Sequence, residues 1–262
     1  MNTNRVRAIA RRNSYVLWRA PQRWFDVIVW PVVDAILFGA IGVYFGQLQG
    51  TEAASAAFLL AGIILFHVVF QAEVSLATGF LEETWSRNLL NLMVTPMTEL
   101  EFGAGVALFG LAKLAMGVGV VSVVAFILFA FNITSLGLAL IPLIAVLLFV
   151  GWAVALFVIG LILRVGQGAE IMTWGVIALL LPLSGIFYPV DALPDVLQPI
   201  AEALPTTHVF AAAHEVVDGN PLPWGEVGIA AIGAVVMGVL GVWYLMRMLA
   251  TFRARGYISR HV

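Results

Sequence analysis

The stretch Gly79-Phe-Leu-Glu-Glu-Thr-Trp-Ser-Arg-Asn-Leu-Leu-Asn-Leu-Met-Val-Thr-Pro96 is a short polar-rich interval between two long apolar runs. Leu81, Trp85, Leu89 and Leu92 recur at spacings of 4, 4 and 3, which puts them on one face of a helix, while Glu82, Glu83, Ser86 and Arg87 fall largely on the rest. Pro96 ends that helix, because it has no N–H to donate and its ring collides with the preceding turn. An amphipathic helix tied at both ends to apolar segments is a handle by which another molecule could move them, so its meaning depends on what flanks it.

What flanks it is membrane. Of the 262 residues, 62% are apolar and 11% charged, with a mean hydropathy of +1.02, whereas a soluble domain carries about 25% charged residues. The fold class is therefore an all-α integral membrane protein forming a single transmembrane domain over residues 1–262. Six apolar runs read as spans: Val27 to Phe45, Ala56 to Ala77, Phe102 to Phe131, Leu138 to Leu163, Ile171 to Tyr188 and Val227 to Leu249. Each is near or above the ~20 residues that cross a bilayer.

All twelve arginines, among them Arg5, Arg12, Arg19, Arg23, Arg87, Arg164 and Arg247, fall on one side of this plan, and the opposite loops hold no Lys or Arg. The positive-inside rule makes that side the cytosol, with both termini and the 79–96 segment on it. The outer loops instead contain Glu52, Asp191, Asp195, Glu202, Glu215, Asp218 and Glu226. The first run is too long for a signal-peptide core and follows about 26 polar and basic residues, so it is expected to stay in the mature protein. The absence of cysteine excludes disulfides and thiolate metal ligands.

Several function classes are excluded by what is missing. The single lysine, Lys113, stands between Ala112 and Leu114, so no Gly-Lys-Ser/Thr phosphate loop exists and ATP is not bound by that route. His67, His208, His214 and His261 have no metal-ligand spacing, and no Gly-x-Ser-x-Gly elbow precedes a triad. Nothing points to an enzyme, and transport becomes the leading class.

The N-terminal segment, residues 1–26, sets Arg5, Arg12, Arg19 and Arg23 on one helical face. It reads either as an interfacial helix or as a plain basic topogenic tail, broken near Pro21. Within the spans Asp34, His67, Glu73 and Lys113 are costly in hydrocarbon and should face protein or water. Pairing of Lys113 with Glu73 or Asp34 is the simplest reading, and a substrate or ion pathway is the other. From 184 to 224, five prolines beginning at Pro182 punctuate a stretch too apolar for an ordinary loop, consistent with one or two short helices dipping into the outer leaflet.

At these regions the chain resembles the permease subunits of the type-two ABC exporter family. The resemblance rests on the six-span plan with its basic N-terminus, on Glu82 to Pro96, and on Ser184-Gly-Ile-Phe-Tyr-Pro-Val-Asp-Ala-Leu-Pro194, similar to the family's SGxFxPxxxLP. It implies a homodimer around a central pathway, with a separate ATP-binding-cassette ATPase docked on each copy through a cytosolic coupling helix, here 79–96. Glu82, Glu83, Arg87 and Asn88 would then meet the ATPase, Trp85 would anchor the helix, and ATP and Mg would bind on the partner rather than on this chain. The family suggests a bacterial or archaeal cytoplasmic membrane and an amphipathic or lipid-linked substrate such as a glycolipid or polysaccharide. A drug or peptide exporter of the same architecture is the alternative, and an ion-coupled carrier or channel is the alternative of another class.

Overall fold

The computed structural model describes residues 2–20, 24–85, 96, 98–166 and 171–254. Among these, the long elements are α1 (Thr3–Arg19), α2 (Trp30–Gln49), α3 (Glu52–Trp85), α4 (Glu99–Phe129), α5 (Leu140–Val165), α6 (Ile171–Leu183), α7 (Gln198–Glu202), α8 (Pro205–Val217) and α9 (Trp224–Ala254). No strand occurs among the described residues.

Five stretches are long and apolar enough to cross a membrane: Val27–Gln49, Ala54–Glu83, Leu100–Phe129, Ile133–Val165 and Trp224–Thr251. They match five of the six expected runs, with ends shifted by a few residues. The remaining run, expected from Ile171 to Tyr188, is helical only over the 13 residues of α6, about 20 Å of rise against a hydrocarbon core of about 30 Å. Pro182 stands in its last turn, and the chain then turns through Gly185 at φ +66°.

Helix α3 is the axis of the bundle. Leu60, Ile63, Ile64, Leu65, His67, Gln71 and Glu73 are all at most 2% exposed, because α2, α4, α5, α6 and α8 pack around it. Small residues set the distances of closest approach. A Cβ on Gly42 of α2 would stand 2.6 Å from Ala56 Cα, and one on Gly151 of α5 would stand 2.6 Å from both Ala72 Cβ and the Val69 carbonyl oxygen. Gly42 thus lets α2 pack closely on α3 within the chain. Helix α9 lies along α5, where a Cβ on Gly241 would stand 2.8 Å from the Ala153 carbonyl oxygen.

The outer hairpin is tied into the same core. Ser184 and Thr206 share a buried hydroxyl hydrogen bond of 2.6 Å, the Thr207 hydroxyl donates to the Ala201 carbonyl at 2.6 Å, and the Tyr188 hydroxyl donates to the Pro182 carbonyl at 2.7 Å. These bonds matter because irregular backbone at this depth must be satisfied by protein. The turn is seated directly on α3: a Cβ at Gly62 would lie 2.5 Å from the Ile186 carbonyl oxygen. The short helices of this stretch are α7 and α8, preceded by a 3-10 turn at Val190–Ala192.

Candidate functional site where α1 docks

Residues Gly79 to Trp85 are the last turns of α3, continuous with the second span, rather than the start of a separate helix. No proline separates Ala77 from Trp85, and Leu81 continues the buried stripe at 0% exposure, so the ladder runs on through Gly79. Glu83 is buried and Glu82 half-buried there. The rest of the expected coupling helix, including Arg87 and Asn88, lies outside the described residues, as does the side chain of Trp85.

Helix α1 clasps both ends of that interval. Its buried stripe, Val6, Ile9, Asn13 and Leu17, is set at helical spacing and packs on α4, where a Cβ on Gly105 would stand 2.6 Å from Ile9 Cβ. Arginines flank that stripe. Arg12 donates to the Glu83 carboxylate, at the entrance to the interval. At its exit, Arg5 donates to the Pro96 carbonyl and, at 3.2 Å, to Glu101. Glu101 in turn accepts from the Asn2 amide at 2.7 Å and the Thr98 amide at 3.1 Å, while the Thr98 hydroxyl accepts from the Glu101 amide at 3.2 Å.

That last pair is a capping box, which satisfies donors at the start of α4 that the helix itself leaves open. Partial burial lowers the Arg12 guanidinium from its ordinary value and the Glu82 carboxylate opposes the shift; an arginine keeps its charge through such a change. The N-terminal helix is therefore docked protein, not only a basic tail lying against lipid. Sequence reading placed Arg5 and Arg12 on one face but missed their partners. Thr98-x-x-Glu101 ahead of an apolar run was the available signal for the cap.

The intramembrane polar residues separate into two places. Asp34 Oδ2 lies 3.3 Å from His67 Nε2, although neither ring nitrogen makes a hydrogen bond among the described residues. Glu73 sits at 0% exposure on α3, and among the described residues neither carboxyl oxygen accepts a hydrogen bond. The expected hydrogen-bonded pair of Lys113 with Glu73 is therefore not formed; the backbone at Glu73 lies on the stretch of α3 that Gly151 of α5 approaches. Half-buried Lys113 lies on α4, and Asp34 faces His67 instead.

On the outer side, His208 bridges Glu226 at 2.6 Å and the Glu202 carbonyl at 2.9 Å, joining α7, α8 and α9. His214 stacks on Phe58 with ring centroids 3.6 Å apart. Burial pulls its imidazole down to about 4, opposed by a hydrogen bond to the Phe58 backbone, so it is neutral at ordinary pH. Among the described residues, no group of histidines and carboxylates is arranged to hold a metal ion.

A protein-family model described as ABC-2 type transporter matches residues 4–217. That range begins in the first turn of α1 and ends at the last residue of α8, taking in the clasp, α3 and the outer hairpin. The chain belongs to the ABC-2 type transporter family. A comparison with curated proteins finds no significant match. As an ABC-2 membrane domain it is a multi-pass transport component and not itself the catalytic subunit. Members of the family generally work with an ATP-binding-cassette ATPase, which accords with the missing phosphate loop. Helix α9 lies beyond the matched range.

Proposed function

We propose that this chain is the permease subunit of an ATP-driven exporter, paired with a second copy around a shared pathway and driven by two separate ATPase subunits that bind ATP and Mg. Each ATPase docks on the 79–96 interval, through Glu82, Glu83, Arg87 and Asn88, with Trp85 as the anchor to the membrane. The observation that carries this reading is the clasp. One basic helix, α1, grips the residues just before and just after the interval, so a push on the interval is passed to α1, α3 and α4 together.

In this reading α6 and the turn after it complete a sixth crossing, with the discontinuity lodged against Gly62. Both termini and the docking interval then lie in the cytosol of a bacterial or archaeal cell, and the chain sits in the cytoplasmic membrane. The exported molecule is amphipathic, entering from the inner leaflet. Support comes from the one-sided arginines and from the family membership.

The test is to replace Glu82, Glu83 and Arg87 together with glutamine. Purified with its co-isolated ATPase in lipid, the triple variant should keep the thermal midpoint of the parent while substrate-stimulated ATP hydrolysis and transport fall at least tenfold. Coupling at the parental level would sink the docking assignment. An ion-coupled carrier would need its buried acids, so Glu73→Gln should abolish transport by such a machine; in the exporter it leaves activity per folded molecule intact.

A further inference from the structure

We propose that Asp34, His67, Phe70 and Trp174 form a site in the inner half of the membrane for the charged head of a lipophilic cation. This rests on the permease reading and names the class of molecule the permease carries.

Asp34 lies seven residues after Val27, where the first span begins, roughly 10 Å along the helix and hence in the cytosolic half of the core. It is 17% exposed, so it can be reached, and its only ion-pair partner among the described residues is His67. His67 is 2% exposed, yet both of its nitrogens lack a hydrogen bond. A carboxylate and an unsatisfied imidazole in hydrocarbon are kept only where they face protein, water or a ligand.

The surroundings are aromatic. The Phe70 ring stands edge-on to His67, with centroids 5.9 Å apart at 90°, and Trp174 of α6 is 5.9 Å from Phe70. One turn further out on α2, Phe38 stacks on Phe187 at 4.1 Å and 9°, closing the seam between α2 and the turn after α6. Helix α6 leans mainly on α3 and has little other packing, so this seam is the least tightly walled part of the bundle.

One counter-charge and several ring faces suit a hydrophobic cation, which is drawn by the carboxylate and by the aromatic quadrupoles. A sugar ring fits worse: each hydroxyl it brings out of water needs a partner, and among the described residues the polar pair that meets at this seam is Asp34 and His67. The way out carries the same sign. The outer loops of the six-span plan hold seven acids, Glu52 and Asp191 among them, and no Lys or Arg, so a cation leaving the seam meets no repulsion.

The experiment uses the full chain in lipid nanodiscs and two probes of equal shape and opposite charge, tetraphenylphosphonium and tetraphenylborate, measured by equilibrium dialysis against empty discs. Saturable binding of the cation alone is expected, with Asp34→Asn weakening it at least tenfold and Trp174→Leu severalfold. No saturable cation binding, equal binding of the anion, or unchanged affinity in a folded Asp34→Asn protein would each overturn the site. If Asp34→Asn does not fold, Trp174→Leu decides: unchanged affinity overturns the proposal. Because binding is measured without the ATPase, cation binding in a chain that isolates no ATPase would leave the site standing and remove the exporter reading; the converse pattern removes only the site.

Discussion

At the end of the bundle where α1 docks, Arg5 and Arg12, 36% and 40% exposed, reach the buried carboxylates of Glu101 and Glu83, 4% and 3% exposed, whereas the proline-rich hairpin is held by the Ser184 and Thr206 hydroxyls at 0% and 1% exposure. A guanidinium open to water can trade its contact for another acceptor and is held less firmly in salt, although the buried carboxylate it leaves needs a new partner. A buried hydroxyl that loses its partner costs about 1–3 kcal/mol. The α1 end therefore keeps one member of each pair within reach of another protein, while both members of the hairpin's pair are sealed in one arrangement.

The sharpest way to break the comparison is at the outer seat. Gly62→Leu forces a side chain against the Ile186 carbonyl oxygen, 2.5 Å from the Cβ position, and backbone there cannot step aside. A loss of at least about 3 kcal/mol is expected, read as collapse of the monodisperse fraction on size-exclusion chromatography. A well-folded Gly62→Leu protein would show that the turn is not seated on α3.

Next in size is acid. His214 has its folded-state value depressed to about 4 by burial, while in the unfolded chain it titrates near 6.5. Its contribution is fully present above about pH 6.5 and is lost as pH falls towards 4, because the unfolded state binds the proton first. The span corresponds to about 3 kcal/mol at most. His214→Phe should flatten the decline in thermal midpoint across that window, and an unchanged slope would reassign it to the outer carboxylates.

Ser184→Val should cost about 2 kcal/mol by stranding the Thr206 hydroxyl, and Ser184→Val combined with Thr206→Val should cost less than the single change, since both partners are then apolar. Additive losses in that cycle would mean the two hydroxyls act separately. The smallest effect on stability belongs to the clasp when both partners are removed: Arg12→Ala combined with Glu83→Ala should shift stability by less than about 1 kcal/mol, because no buried carboxylate is then left without its guanidinium, whereas Arg12→Ala alone should cost more. Their effect on ATP-stimulated transport should be far larger, and a charge-swapped Arg12→Glu, Glu83→Arg protein should recover part of it.

Long apolar runs were readable because a span needs nothing but length and hydropathy, and the outer proline-rich stretch was readable because prolines punctuate apolar sequence in few other settings. The sixth run was less so. Ile171 to Tyr188 is continuous in hydropathy, but Pro182 and Gly185 interrupt the hydrogen-bond ladder, and hydropathy does not record that. The docking interval was misjudged in one respect: polar Glu82 and Glu83 suggested a new element, yet polarity alone does not end a helix, and α3 runs through them. Partners across the bundle, such as Arg12 with Glu83, 71 positions apart, leave no periodic trace in a single chain.

Helix α3 rises about 51 Å over its 34 residues, and its close approach to α5, at Gly151, falls at Val69 and Ala72. From Ala72 to Trp85 is roughly 20 Å, and from Ala72 back to Glu52 roughly 30 Å. Pivoting at this approach, the helix would be a lever with its fulcrum nearer the end that Arg12 grips. A tilt about Gly151 moves the outer tip in the opposite direction and about one and a half times as far, so a small stroke at the end gripped by Arg12 is magnified beside the turn that rests on Gly62.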